Sequence, residues 1–285
     1  MESTKLGAEL LSFKVEGEEK IHQGEKIVDE KNNVYWKRHF PILFPIVGKL
    51  INNETIINGE KFKMGQHGFA RDLEFKEILK EENIHSYLLK SNQETKKKYP
   101  FDFELTVTYE KENDTLTTIY KVKNIDSKQI SFGIGGHPAL KIDKEKLKNN
   151  SYYLEFDEEE RSAQCYHLIK GLLDSNPIEN KLEDFRYLPI SEHTFDDDAI
   201  IIKGLNIRKV SLKDRETNKK IFTVDFKDFP FLGIWSKPGA PFICIEPWLS
   251  TADKIDSKGN FEEKDLIKTN PNEEFKCEYK IEFYK

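Results

Sequence analysis

The stretch Gly65-Gln66-His67-Gly68-Phe69-Ala70-Arg71 gathers an amide, an imidazole, an aromatic ring and a guanidinium between glycines. Planar donors and acceptors of this kind suit the hydroxyls of a polyhydroxylated ligand, and a ring face suits its C–H-rich surface. The same residues also fit an ordinary surface loop in which His67 and Arg71 hydrogen-bond to nearby backbone. Arg38, in Trp36-Lys37-Arg38-His39-Phe40-Pro41, has two readings as well: a ligand anchor, or a cation–π partner of the aromatic residues beside it.

Two further segments hold groups able to move protons. His137 follows Gly135-Gly136 and precedes Pro138, so a ligand can approach the backbone closely beside a group that titrates near neutrality. It reads either as an acid–base residue or as a satisfied histidine at a strand end. Glu246 ends the apolar run Phe242-Ile243-Cys244-Ile245, where a carboxylate is costly unless paired, hydrogen-bonded or functional. Burial raises such a pKa toward the range of a general base, and a structural ion pair is the other reading. Trp235 and Trp248 can stack on a sugar face or simply fill the core.

Other chemistries lack their spacing. Metal binding is the rival use of His67, His137 and Glu246, but beyond residue type nothing supports it: there is no HExxH, no histidine pair at i and i+4 and no clustered carboxylate set, so no metal is expected. P-loop, Rossmann and GxSxG patterns are absent too. Cys165, Cys244 and Cys277 lie far apart with no CxxC, which argues against a disulfide framework and points to a reducing cytoplasm. With 51 acidic against 45 basic residues, no basic excess points to nucleic acid. The longest apolar run, Phe40 to Val47, is broken by two prolines and is far too short to span a membrane, and the first residues lack a signal-peptide core.

The elements that must position these groups are strands. Phe101 to Tyr109 alternates apolar and polar without a miss, Glu112-Asn113-Asp114 makes a turn, and Leu116 to Val122 returns as the second arm of a hairpin. Further strands are expected at Ile130–Ile134, Tyr152–Phe156, Ala199–Ile202, Val210–Leu212, Ile221–Phe226, Phe231–Trp235, Phe242–Ile245 and Phe275–Phe283. Phe75–Glu82 and Glu262–Lys268 have enough helical character for a turn or two, and 141–150 and 174–184 read as exposed polar loops. Many closely spaced strands predict an all-β sandwich or barrel, with residues 1–285 as a single domain.

Taken in order, Gly7-Ala8-Glu9-Leu10, the Phe40–Gly48 segment, Gln66 to Arg71, Gly136-His137-Pro138, Phe195 to Ile202 and Cys244-Ile245-Glu246-Pro247-Trp248 resemble the aldose 1-epimerase (galactose mutarotase) family. The likeness is to its shorter bacterial branch associated with lactose operons. It implies a large antiparallel β-sandwich with an open concave site. It also implies exchange of the α and β anomers of an aldose, without redox cofactor or metal. By motif, Glu246 is then the general base on the C1 hydroxyl and His137 the general acid on the ring oxygen. Arg38, Gln66, His67 and Arg71 hold hydroxyls, His67 also polarising the substrate, and Asp198 is the further hydroxyl acceptor. Asp196-Asp197-Asp198 leaves the register of that last residue open, with a solvated acidic turn as the other reading.

The Phe-Pro-rich first motif departs from that of typical galactose mutarotases, and Ser250 stands where this branch commonly has glycine. Arg38, Gln66 and Arg71 are also similar to the set in hexose-6-phosphate 1-epimerases, so a phosphosugar is the alternative substrate. A non-catalytic carbohydrate-binding protein on the same fold is the rival class. The expected partner is a small sugar, with neither nucleic acid nor membrane, for a chain that is a monomer or homodimer.

Overall fold

In the computed structural model, which describes residues 1–178 and 182–285, two large antiparallel sheets dominate. The first has nine strands, in the order Tyr187–Ile190, Tyr152–Phe156, Lys209–Asp214, Lys220–Asp225, Glu274–Phe283, Thr115–Asn124, Phe103–Glu112, Ile84–Lys90 and Lys76–Glu81. The second has eight: Leu172–Leu173, Gln164–Ile169, Ile200–Lys203, Phe231–Trp235, Phe242–Trp248, Gly135–Gly136 and Ile42–Leu43, with Ala139–Lys141 also paired to Phe242–Trp248. The chain is all-β, and the two sheets share one hydrophobic cluster that runs from Ala8 to Phe283.

Alternation sets which residues enter that cluster. In the 103–112 strand, Phe103, Leu105, Val107 and Tyr109 are buried while the residues between them are only partly so. Its partner pairs Glu112 with Thr115, leaving a two-residue turn whose Asn113 takes the left-handed conformation that such turns need. From the other sheet, Ile234, Ile243 and Ile245 point into the same cluster.

Local readings gave way where pairing supplied what the sequence did not signal. Phe75–Glu82 is no helical turn: Lys76–Glu81 is an edge strand on Ile84–Lys90. A lysine- and glutamate-rich segment tolerates an edge because one side of its backbone faces water. Around 262–268, a short 3₁₀ turn at Phe261–Glu263 gives way to the strand Ile267–Thr269, paired with Ile130–Phe132. The 141–150 segment is not all loop, since Asp143 caps a helix at Lys144–Lys148 and Leu147 is buried beneath it. Part of the 174–184 segment, residues 179–181, lies outside the described residues. No helix among the described residues is long and apolar enough to cross a membrane.

The sheets meet beneath the His137 segment. A Cβ built on Gly136 would lie 2.3 Å from the Tyr279 hydroxyl oxygen and 3.0 Å from that of Tyr120, both on buried side chains of the nine-stranded sheet. Only hydrogen fits there, so the segment can lie flat on the core. Gly136→Ala is therefore expected to destabilise the fold by about 1–3 kcal/mol, the usual cost of forcing a methyl into a packed interior. Urea unfolding checks this, and a midpoint matching that of the parent chain would contradict it.

Candidate functional site

The site grows from the strand Phe242–Trp248, every residue of which is buried. Period-two alternation turns Ile243 and Ile245 to the core and Cys244, Glu246 and Trp248 to the opposite face. Register then fixes their neighbours. On one side Trp235 pairs with Cys244, Gly233 with Glu246 and Phe231 with Trp248. On the other, Ala139 pairs with Cys244 and Gly135 with Trp248, which leaves His137 facing Glu246. Small residues thus flank the pair of proton-carrying groups. The vacancy beside Gly233 is filled by the Trp248 indole, which a Cβ there would meet at 2.8 Å.

His137 Nε2 lies 3.3 Å from Glu246 Oε2, and the two residues are 7% and 1% exposed. The contact has ion-pair distance without hydrogen-bond alignment, which leaves Glu246 Oε2 without a hydrogen-bond partner; on the other side of the imidazole, His137 Nδ1 has none either. The His137 backbone N–H donates to Pro41 O (3.1 Å) and that of Ala139 to His39 O (3.0 Å), which moors the Trp36–Pro41 segment alongside. As a result Trp36 stacks on the His137 ring, with centroids 4.8 Å apart, and Trp235 meets the imidazole edge-on at 5.6 Å. His22 Nε2 contacts Trp36 O at 3.0 Å and its ring packs on Phe242, which holds the indole in place.

All seven side chains expected at the site line one cavity of about 420 Å³: Arg38, Gln66, His67, Arg71, His137, Asp198 and Glu246. Of the three consecutive aspartates, Asp198 lines the wall, whereas Asp196 turns to His193 at 3.0 Å. His67 and Asp198 both have left-handed backbone, at φ +65° and +78°, an uncommon conformation for side-chain-bearing residues that is often kept at functional sites. The Gly48 backbone N–H donates to His67 Nδ1 at 3.1 Å. That bond leaves the ring proton of neutral His67 on Nε2, 3.3 Å from the Gln66 side-chain amide nitrogen, and the amide accepts that proton once turned to present its oxygen. Arg71 Nη2 donates to Gln66 O (2.7 Å), and Arg38 Nη2 is bound to Asp72 Oδ1 (2.6 Å).

Residue typing missed other parts of the wall. Tyr35, Leu168, Lys237 and Ala252 also line the cavity, together with Trp36. In the sequence Trp36 is simply a neighbour of Arg38, and nothing in its spacing foretells that it lies over His137. Ser250, the departure noted near the end of the strand, is fully buried against Gly133; Ala252 is the lining residue instead. The sheet also brings Cys244 beside His137 and Glu246, all three ligand atoms lying within 4.8 Å of one another. Spacing along the sequence gave no sign of this group, because His137 comes from a segment more than a hundred residues away.

Electrostatics follow from burial. Desolvation, then the nearby Arg71 charge, hold the His137 imidazole down to about 3. Desolvation lifts the Glu246 carboxyl well above the ordinary range and Asp198 adds to the rise; the Trp248 indole N–H and Arg71 pull the other way. His67 is held well below its usual value by burial and then Arg71. Arg71 is lowered to about 10, chiefly by burial and then by Arg38, and stays charged at neutrality.

An antiparallel two-sheet protein with a sugar-sized cavity, floored by an imidazole–carboxyl pair and walled by indoles, is of a kind already known. The sequence profile of the aldose 1-epimerase family matches residues 1–282, and the chain belongs to that family. It is 33% identical over 288 residues to the plasmid-encoded protein LacX of Lactococcus lactis subsp. lactis, covering 97% of this chain and 93% of that protein. A solved galactose mutarotase related enzyme from Lactobacillus acidophilus is 32% identical, with a TM-score of 0.87, covering 99% of this chain and 93% of that one. A galactose mutarotase-like protein from Lactobacillus casei ATCC 334 is 28% identical, also with a TM-score of 0.87, over 99% and 96% of the two chains.

The pKa shifts make a stability signature. Between 6.5 and about 3 the unfolded chain protonates His137 where the native state does not, so this group's contribution to stability falls as pH falls through that window. For Glu246 the sign reverses: the native state keeps a proton above 4.5 that the unfolded chain gives up, so stability falls as pH rises from there. Relative to the parent chain, His137→Asn should flatten the acid side of a urea-derived stability profile and Glu246→Gln the neutral side. Profiles parallel to the parent's would contradict the assignment.

Proposed function

We propose that the chain is an aldose 1-epimerase that interconverts the anomers of a free, unphosphorylated aldohexose. The observation that carries this reading is the buried His137–Glu246 pair, 3.3 Å apart at the floor of a cavity rimmed by hydroxyl-binding groups. The hydroxyl oxygen and the ring oxygen of a cyclic sugar are both bonded to C1, so two adjacent groups reach both. In the form Glu⁻/HisH⁺, the Glu246 carboxylate takes the C1 hydroxyl proton while the His137 imidazolium gives its proton to the ring oxygen. The C1–O bond to the ring breaks and the aldehyde forms. The pair is then carboxylic acid and neutral imidazole, with net charge unchanged. Rotation about C1–C2 turns the other carbonyl face to the ring hydroxyl, and the same two transfers in reverse close the second anomer.

Burial favours the neutral–neutral form of the pair, which is the form it holds while the sugar is open. Desolvation therefore supports the high-energy stage of the reaction. His67, neutral with its proton on Nε2, acts as a hydroxyl donor that also polarises the sugar. Arg71 and Gln66 orient the neighbouring hydroxyls, and Asp198 accepts from another. The Trp36 and Trp235 faces suit the C–H side of a pyranose.

Arg38 favours the free sugar over a phosphate ester, because one of its terminal nitrogens is already bound to Asp72. A bidentate grip on phosphate needs the guanidinium edge uncommitted. The same reading takes residues 1–285 as one domain acting on a diffusible sugar in the reducing cytoplasm, an environment that suits three buried thiols.

NMR saturation transfer or polarimetry across free and phosphorylated aldohexoses tests the proposal. Glu246→Gln and His137→Asn should each lower kcat by roughly 100- to 10,000-fold, with circular dichroism unchanged. Full exchange rate in either variant overturns the roles. The acid limb of kcat/KM should lie well below 6.5, toward 3, because a second proton on the pair must sit on His137 against burial and Arg71. A limb centred at the ordinary histidine value would contradict the one-proton pair.

A further inference from the structure

Cys244 has no part in the proton transfers, yet the sheet sets it on the same face as Glu246, two residues away, and across the ladder from Ala139, two residues past His137. The Cys244 Sγ, a ring nitrogen of His137 and a carboxyl oxygen of Glu246 lie within 4.8 Å of one another. All three residues are buried, and two polar atoms of the group, His137 Nδ1 and Glu246 Oε2, have no hydrogen-bond partner. We propose that this thiol–imidazole–carboxyl group is a binding site for a thiophilic divalent cation of the zinc–cadmium class, and that such an ion inhibits the enzyme from within its own floor.

The donor set is the argument. Thiolate, imidazole and carboxylate are the three ligand types that zinc takes, and three protein ligands with one open position are the usual arrangement where the metal also meets solvent or substrate. Here His137 and Glu246 line the cavity of about 420 Å³, so the fourth position is supplied from that side. Charge balance agrees: a divalent cation neutralises one thiolate and one carboxylate, leaving no net charge in a dry layer. Tetrahedral bonds of about 2.0–2.3 Å need ligand atoms somewhat nearer than the present outer limit of 4.8 Å, so binding draws the three side chains together. Binding is ligand for proton. The metal takes the Cys244 and Glu246 electron pairs, two protons leave to solvent, and the His137 lone pair is occupied.

Inhibition rests on the acid–base reading above, because an ion there consumes both electron pairs that move protons; binding does not rest on it. The two are read separately. The full chain, freed of metal with a chelator, is titrated with Cd²⁺ while thiolate-to-metal charge-transfer absorption and calorimetry are followed. One ion per chain is expected, with the absorption lost in Cys244→Ala or, should that variant fold poorly, in Cys244→Ser. Zn²⁺ should lower the anomer-exchange rate more than tenfold, reversibly with chelator. Cys244→Ala should keep the metal-free rate within threefold and need at least tenfold more Zn²⁺ for half inhibition. No charge-transfer band in the folded parent chain, or a band that survives loss of Cys244 and so reports Cys165 or Cys277, overturns the site. A Cys244-dependent band in a protein without anomer exchange would instead keep the site and defeat the function. Zn²⁺ sensitivity equal in parent and variant chains would defeat the inhibitory role.

Discussion

Everything at this site depends on holding a carboxyl group dry in the middle of a sheet. Glu246 is 1% exposed, in a strand with no exposed residue, and an ionised carboxylate there is unfavourable without a partner. The partner is His137, set opposite it by register, and the pair stays neutral overall by sharing one proton. Glycine at 233 on the flanking strand lets the Trp248 indole close over the gap, which keeps water from solvating the carboxyl along the sheet. The same dryness explains the opposed shifts of the two groups. Each is pushed toward its uncharged form, and in the proposed reaction this push lets them pass protons without leaving a stranded charge.

The register is held from several directions. Gly136 rests on the hydroxyls of Tyr279 and Tyr120, so the nine-stranded sheet serves as an anvil for the His137 segment. Glu9 accepts from the backbone N–H groups of His39 (2.6 Å) and Phe40 (3.0 Å), fixing the segment that carries Trp36 and Arg38. At the far rim, Asp253 accepts from Ile51 N at 2.9 Å and pairs with Lys264 at 2.6 Å, the two side chains being 1% and 6% exposed. A buried pair of this kind is a modest source of stability, but breaking it would leave an uncompensated charge. Its effect is positional. It ties the 251–253 segment to 49–51, and Ala252 in turn packs on Gly48, whose N–H sets the His67 tautomer.

What was legible in the sequence divides along the same physics. Strands with one face buried announce themselves by alternation, as Tyr152–Phe156 does, and strands buried through their middle by a continuous apolar run, as Phe231–Trp235 does; both fall at the expected residues. Lys76–Glu81 did not, because an edge strand gets its conformation from a neighbour and leaves no apolar period of its own. Glu246 stood out because a charge in an apolar run conflicts with burial, and His137 because glycines and proline surround it. Trp36 carried no such conflict, and its place over His137 is set by backbone hydrogen bonds from Ala139 and by His22, none of them visible locally. Residue types alone did not separate Asp198 from Asp196 and Asp197; the resemblance singled it out, and it is Asp198, with left-handed backbone, that lines the cavity.

The charges around the cavity bear on what it can hold. Arg38 is matched by Asp72, while Arg71 sits in the field of Asp72, Glu9 and Glu246 and donates to the Gln66 carbonyl oxygen. Partly compensated in this way, both act as directional donors, and their remaining charge reaches the histidines of the cavity. The Arg71 charge also has a second effect, because it opposes a proton on His137 and favours ionised Glu246. Under the proposed function, the residue that orients a sugar hydroxyl thus also biases the proton pair beneath it. That function would couple recognition and acid–base chemistry through one guanidinium, so that a substitution at Arg71 acts on both together.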